Sequence, residues 1–303
     1  MNQSNLIKIN GVTKNYGQDR GNFNITLNVK KGETLGIVGE NGAGKTTLMR
    51  QLMGFIASDD GYITIDGFDA YLDSMETKRL IGYIPGEINF PDVKSGTVFL
   101  HNYGDSLGAK PEDYLYANEL IQRMQLDIRA YPKRMSKGMK QKTSIVAAFM
   151  RKPKILLLDE PSIGLDPLMR EELLEIILEQ KTRGATIIMS SNSIEELERV
   201  CDKVALLNKG KIVDVADMND IKNRNFRDYK IDFINQEDFL KFKNLGFNII
   251  RIQEQYNQIT ARVPLEDIDN FLNEVSNYRV KFISEINYNL STYFKERKSM
   301  KHE

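Results

Sequence analysis

The sequence is short of cysteine, of net charge and of long apolar runs. Its one cysteine, Cys201, cannot close an internal disulfide. That excludes a disulfide-stapled scaffold and fits a reducing compartment, most simply the cytoplasm. Lys+Arg and Asp+Glu each total 42, so the formal net charge is zero. A general nucleic-acid binder normally carries a basic surplus, so no nucleic-acid partner is expected. No stretch approaches the ~18 apolar residues of a bilayer span; runs such as ILLL (155–158) have strand length. The opening MNQSNLIKIN lacks the basic start and long apolar core of a signal peptide. The chain is therefore expected to be soluble, reaching a membrane only through a partner. Internal repeats and low-complexity segments are lacking too.

What is present first sets the size. A chain of 303 residues accommodates one large domain, or a main domain and a small one, without disulfide or metal staples. Residues 6–9, 23–29, 33–38, 62–67 and 80–85 read as strands from their alternating or continuous apolar pattern. Lys45–Gly54 reads as a helix. From about Val93 to Phe149 the pattern is mostly helical, with PEDYLYANELIQRMQL opening on proline and acids as a helix start does. Strands then return at 155–160, 185–190 and 204–213, separated by the helical PLMREELLEIILEQK and SIEELERV. Strands alternating with helices imply an α/β fold with a largely parallel sheet covered on both faces. After about Asn219 glycine becomes scarce and the order changes to strand, helix, strand, strand, helix, strand. That order matches a small α+β, ferredoxin-like arrangement. A short helix (STYFKERK) and a charged tail, expected to fray, end the chain. The expected domains are thus 1–218 and 219–303.

GENGAGKTT, from Gly39 to Thr47, contains G-x-x-x-x-G-K-[ST] at Gly39–Thr46. It follows a strand (LGIVGE) and opens a helix, the context this P-loop (Walker A) motif requires. Its glycines allow the backbone N–H groups of Asn41, Gly42, Ala43, Gly44 and their neighbours, through Thr47, to turn toward phosphate oxygens. The helix start adds the positive end of its dipole. Lys45 is expected to bridge the outer phosphates and Thr46 to ligate Mg²⁺. The second half of such a site is ILLLDE, where Asp159 emerges at the C-terminal end of a buried strand, the end at which open parallel sheets bind ligands. By itself this would be read as an acidic loop after a core strand. Beside a P-loop, Asp159 is expected to hold Mg²⁺ through water and Glu160 to polarise the attacking water.

Between these halves lies RMSKGMKQK (134–142), and directly after them PSIGLD (161–166). With these motifs in this order, residues 5–215 resemble the ATP-binding subunits of ABC transporters. The family's LSGGQ signature reads Met135-Ser136-Lys137-Gly138-Met139 here. Alone, Ser136 would be read as an ordinary helix cap; in this order of motifs, the small-residue helix start is a second anion site. The resemblance implies that two copies pack head to tail. Each ATP would lie between the P-loop of one copy and Ser136, Lys137 and Gly138 of the other. It also implies that Tyr16 (in KNYG) stacks on adenine, that Asp166 belongs to a loop coupling the two sites, and that residues 93–150 form a helical subdomain gripping an integral membrane subunit. The single cassette, with about ninety residues between Lys45 and Ser136, argues against chromosome-maintenance and translation-factor relatives. A metabolic P-loop kinase would leave residues 134–142 and 161–166 unexplained.

Two positions depart from the family pattern. IGYIPGE has Gly86 where the family carries a glutamine that touches Mg²⁺ or the attacking water; Glu87 is a candidate substitute. SSNSIEELE has Asn192 where the family carries a switch histidine that bonds the γ-phosphate. An amide can donate a hydrogen bond but carries no charge. Losing a charge-assisted bond costs about 1–3 kcal/mol, so slow hydrolysis is expected rather than none. The resemblance points to the ATP-hydrolysing subunit of an exporter of peptides, bacteriocins or drugs at the cytoplasmic face of the membrane, most like exporters of toxin peptides such as phenol-soluble modulins. The alternative is an ATP-dependent switch protein that barely hydrolyses. The C-terminal segment is open between a regulatory or dimer-forming module and a stabilising cap.

Overall fold

The computed structural model describes residues 5–300. The expected frayed tail beyond 300 lies outside the described residues. The described chain divides into two compact units, the first ending at Asp217 and the second starting at Met218.

The first unit holds two sheets, where the sequence pattern suggested one. In the smaller, β1 (Asn5–Asn15) pairs antiparallel with β2 (Gly21–Lys30). After β3 (Thr34–Val38) and α1 (Lys45–Leu52), β4 (Asp60–Ile65) and β5 (Phe68–Asp69) complete this sheet in the order β2-β1-β4-β5. Pairing partners are not visible in apolar periodicity, which is why the strands at 6–9, 23–29 and 62–67 read as members of the main sheet. Helix α2 (Ser74–Leu80), which the sequence pattern did not disclose, leads into β6 (Ile81–Ile84).

The helical stretch resolves into α3 (Gly96–Ser106), α4 (Pro111–Arg123) and α5 (Lys137–Phe149). Local chemistry explains their starts. Ser95 accepts from the Val98 N–H, Pro111 occupies the first turn of α4, and Ser136 accepts from the Met139 N–H. Then come β7 (Ile155–Asp159), α6 (Pro167–Thr182), β8 (Thr186–Ser191), α7 (Ile194–Val200), β9 (Lys203–Asn208) and β10 (Lys211–Asp217). The stretch at 204–213 is therefore a hairpin. The main sheet runs β10-β9-β3-β8-β7-β6 and is parallel except for β10. Its central strands β3, β7 and β8 are buried along their whole length, as strands covered on both faces must be. They bring the ends of β3, β7 and β8 side by side. Arg123 of α4 ties the helical region to α6 through Glu172 at 2.6 Å and Glu179 at 2.8 Å.

The second unit contains α8 (Met218–Lys222), β11 (Phe226–Phe233), α9 (Gln236–Lys243), β12 (Ile249–Gln253), β13 (Gln258–Pro264), α10 (Ile268–Val275), β14 (Val280–Ile286) and α11 (Leu290–Met300). Its antiparallel sheet has the order β12-β13-β11-β14. Ile231, Phe233, Ile259, Ala261 and Val263 on one face pack with Phe239 and Phe242 of α9 and Phe271 and Val275 of α10. Arg262 makes two 2.9 Å bonds to the buried Asp228 and a 2.7 Å bond to Glu296, which fastens α11 to the sheet.

Helix α5 lies close on β6 because residue 82 is glycine. A Cβ there would stand 2.1 Å from the Ala148 carbonyl oxygen and 2.8 Å from Pro153 Cγ. Backbone cannot yield as a side-chain tip can, so Gly82→Ala is predicted to destabilise the first unit by about 1–3 kcal/mol. A urea-unfolding midpoint unchanged from wild type would contradict this contact.

Candidate functional site

The site forms where three neighbouring strands end. Beyond β3 the chain makes the Gly39–Gly44 loop, in which Gly42 and Gly44 take positive φ angles of 82° and 110°. The turn is closed by the Ala43 N–H donating to the Glu40 carbonyl (3.0 Å) and by the Gly210 N–H donating to the Ala43 carbonyl (2.9 Å). Space is as restrictive as conformation: a Cβ at Gly39 would lie 2.3 Å from the Leu207 carbonyl oxygen. Helix α1 begins at Lys45, so its first N–H groups face the loop.

Lys45 is the hub. Its side chain is only 5% exposed, and its ammonium donates to the carbonyls of Gly39 (2.7 Å) and Glu40 (3.3 Å) and to Asn192 Oδ1 (2.8 Å). It also stands 3.2 Å from a Glu160 carboxylate oxygen. The Asn192 amide nitrogen donates to Asn41 Oδ1 (3.1 Å) and to both Glu160 oxygens (3.1 and 3.2 Å). Gly39, Glu40, Asn41, Lys45, Glu160 and Asn192, far apart in sequence, thus form one polar cluster. Asn41 joins it through its side chain.

Glu160 follows β7 with φ of 50°, in the left-handed region that non-glycine residues seldom adopt. Its N–H donates to the Ser190 carbonyl (3.1 Å) and hydroxyl oxygen (3.0 Å), which holds that conformation. The Ser190 hydroxyl in turn donates to Asp159 Oδ1 at 2.6 Å. Asp159 is fully buried, and its Oδ2 has no hydrogen-bond partner among the described residues. Burial first, and then the Asp159 charge, push the Tyr83 phenol well above its ordinary pKa.

Gly86 lies beside this carboxylate. A Cβ built there would be 2.9 Å from Asp159 Oδ2 and 3.7 Å from Thr46 Oγ1. Two side-chain oxygens therefore flank one spot, and one of them is a buried carboxylate oxygen without a partner among the described residues. That donor set suits a hard divalent cation completed by phosphate oxygens and water. Among the described residues no group of three or more His, Cys, Asp or Glu could hold a metal alone. Glu87, the candidate substitute for the glutamine missing at Gly86, is exposed.

The remaining sequence candidates lie outside the cluster. Ser136 caps α5 by accepting from the Met139 N–H at 3.2 Å. A Cβ at Gly138 would be 2.9 Å from the Gly164 carbonyl oxygen, and one at Gly164 would be 3.2 Å from the Lys137 side chain, so this turn packs against the loop after Glu160. The buried Gln141 strengthens that contact by donating to the Pro161 carbonyl at 2.7 Å. Asp166 caps α6 through the Met169 N–H at 3.0 Å. Tyr16 is 54% exposed in the turn after β1, an open ring face that a flat ligand can cover. Among the described residues, no hydrogen bond joins Tyr16, Lys137 or Gly138 to Lys45.

Sequence reading missed Ser190, Ser162, Ser191 and Glu196. The Ser162 and Ser191 hydroxyls both donate to one oxygen of the buried Glu196, each at 2.9 Å. The signal for Ser190 was a hydroxyl inside the aliphatic strand ATIIMS. Glu196 gave no such signal, being one of three acids on a short helix, with Glu195 exposed and Glu198 half-buried.

Comparison with known proteins accords with this geometry. A sequence profile described as ABC transporter matches residues 23–163. The linearmycin resistance ATP-binding protein of Bacillus subtilis is 32% identical over 222 residues, covering 72% of this chain and 71% of that protein. An uncharacterised ABC transporter ATP-binding protein of Methanocaldococcus jannaschii is 31% identical over 279 residues, covering 88% and 98%. The bacitracin transport ATP-binding protein of Bacillus licheniformis is 32% identical, covering 73% of each chain. Among solved structures, an ATP-binding subunit of an ABC transporter superposes with a TM-score of 0.67 at 30% identity, over 72% of this chain and 92% of that one. A dimeric bacterial ABC transporter cassette has a TM-score of 0.61 at 24% identity, over 70% and 98%, a likeness of fold. The chain therefore belongs to the ABC transporter family, as one of its ATP-binding ATPase chains.

Proposed function

We propose that this chain powers an exporter of peptide, bacteriocin or drug-like molecules from the cytoplasmic side of the membrane, with Lys45, Glu160 and Asn192 as the residues that act on the terminal phosphate of ATP. The observation that carries the reading is the convergence of those three side chains on the glycine loop, next to the Asp159–Thr46 oxygen pair. Lys45 would contact the outer phosphate oxygens while the backbone N–H groups from Asn41 to Thr47 cradle the phosphates. Thr46 and, through water, Asp159 would hold Mg²⁺, which when bound neutralises phosphate charge. Glu160 would accept the proton of the attacking water. Asn192 would donate to the terminal phosphate and orient Glu160, the residue it already bonds. Tyr16 would stack on the base.

The sandwich is completed by a second copy. Ser136, Lys137 and Gly138 sit at the start of α5, and α5 is tied to the loop following Glu160 by Gln141. A helix start presenting N–H groups is an anion site, and here it would cap the ATP held by the other copy. Asp166, at the start of α6, would lie in the loop linking the two sites. For the integral membrane subunit the fitting surface is a groove of about 410 Å³ lined mainly by apolar groups, among them Phe55, Tyr83, Pro85, Phe90, Phe99 and Tyr103. It adjoins the Gly86 turn, so a helix end docked there would touch the segment that faces Asp159. Residues 1–218 would form the ATPase domain, with the helical subdomain at about 93–150. Residues 219–303 would form a separate regulatory or dimer-contacting domain. Export of a drug-like or antibiotic molecule draws support from the names of the linearmycin resistance and bacitracin transport relatives. No residue of this chain contacts the cargo on this reading, so phenol-soluble modulins are one candidate within the peptide class.

A regulatory ATP switch is the second reading. It is favoured by Gly86, which supplies no side chain beside Asp159, and by Asn192, which supplies no charge. Co-purification with a membrane subunit and an ATPase rate that responds to that subunit would favour the transporter; absence of both would favour the switch.

Two variants test the residue roles. Glu160→Gln is predicted to lower turnover by roughly 10²–10⁴-fold, the usual range for removing a general base, with ATP affinity retained; unchanged turnover would remove Glu160 from that role. Asn192→His is predicted to raise turnover of the assembled transporter by roughly tenfold, the scale of one charge-assisted hydrogen bond. A rate equal to wild type would show that position 192 does not limit hydrolysis.

A further inference from the structure

The Glu196 carboxylate is 5% exposed and lies between three functional segments. Its Oε2 accepts from the Ser162 hydroxyl (2.9 Å), two residues past Glu160, and from the Ser191 hydroxyl (2.9 Å), the residue before Asn192. Its Oε1 stands 3.4 Å from the Arg170 guanidinium, in the first turn of the helix that Asp166 caps. The turn around Asn192 closes on the same group. The Ser193 N–H donates to Ser191 Oγ at 3.0 Å, and the Glu196 N–H donates to Ser193 Oγ at 3.4 Å. Two loops that share no sequence are thereby pinned to one carboxylate.

We propose that Glu196 is a positioning residue for ATP hydrolysis, fixing Glu160 and Asn192 relative to each other through the hydroxyls of Ser162 and Ser191. The inference rests on the reading of Glu160 as the base. The reason lies in donor and acceptor chemistry. A carboxylate only accepts, so it can take both hydroxyl protons at one oxygen and leave the other for Arg170. A glutamine offers one accepting oxygen and one donating nitrogen. It can keep the two hydroxyl bonds only by turning its NH₂ toward the cation, so one of the three contacts fails. Glu160 and Asn192 bond each other directly, yet both sit on turns, and a displacement near 1 Å at such a site costs up to about 10²-fold in rate. A carboxylate that merely held α7 in place would leave turnover intact once the fold survived.

The test compares Glu196→Gln, Ser162→Ala, Ser191→Ala and the double variant Glu196→Gln/Ser162→Ala in steady-state ATP hydrolysis and ATP binding. A fall in kcat of roughly tenfold for Glu196→Gln, with KM for ATP within about twofold of wild type, is expected from loss of an interaction that acts in the transition state. Each serine variant should show a smaller fall in kcat, and the double variant should be less impaired than the product of its parents, because both residues act through one hydrogen-bond network. If Glu196→Gln fails to fold, the two serine variants carry the comparison. Unchanged kcat in the folded variants, or multiplicative losses in the double variant, would overturn the proposal. Glu196→Gln placed on Glu160→Gln separates the two claims. A base that is already absent cannot be mispositioned, so no further loss is expected. Full activity in Glu160→Gln alone would instead refute the base assignment and leave the Glu196 result to be judged by itself.

Discussion

A buried ammonium group holds this site together. Lys45, nearly inaccessible to water, is balanced by two backbone carbonyls, one amide oxygen and one carboxylate. An unpaired cation at such depth would cost several kcal/mol, and removing one partner of a buried pair costs about as much. The Glu160 side chain, the Asn192 amide and the loop carbonyls are therefore constrained to the positions where they meet Lys45. Each comes from the end of a different strand, and the strands β3, β8 and β7 are neighbours in one parallel sheet. The pairing of these fully buried strands, β3 with β8 and β8 with β7, sets the register that lets one cation reach all three.

The same economy of geometry governs the surroundings. Ser190 serves both acids, donating its hydroxyl to Asp159 and accepting the N–H of Glu160. Gly86 admits the backbone against Asp159 and Thr46, so the spot where a cation fits is walled by main chain. Gln141 and the packing of Gly138 against Gly164 link the start of α5 to the loop after Glu160. A change at the signature turn is thus felt within a few residues of the acid. On the sandwich reading, that linkage lets contact with ATP on one copy influence the acid that acts on another.

Much of this was legible in the sequence because the signals are local. Gly39–Thr46 needs its glycines for a turn and its lysine for charge, and all lie within eight residues. ILLL before Asp159 announces a strand buried on both faces. Ser136 is a helix cap readable from its own neighbourhood. Partition of the strands into two sheets was not legible, since pairing of β1 with β2 and β4 is a non-local choice that apolar periodicity leaves open. Glu196 was hidden for a related reason. An acid among acids on a short helix gives no hint that it alone is buried, and its two serine partners lie 34 and 5 residues away. Helix α2 was missed because its seven residues, SMETKRL, carry only one buried position, Thr77.

The central claim is that the Lys45 cluster grips nucleotide in one copy and that the helix start at Ser136 closes over it from the other. The most direct measurement is the sedimentation of the Glu160→Gln chain with saturating ATP and Mg²⁺, alone and with its membrane subunit. The account predicts an ATP-dependent dimer of the chain that disappears when Lys45 is also replaced by alanine. A chain that stays monomeric with ATP in both settings, or a dimer indifferent to Lys45, would contradict it.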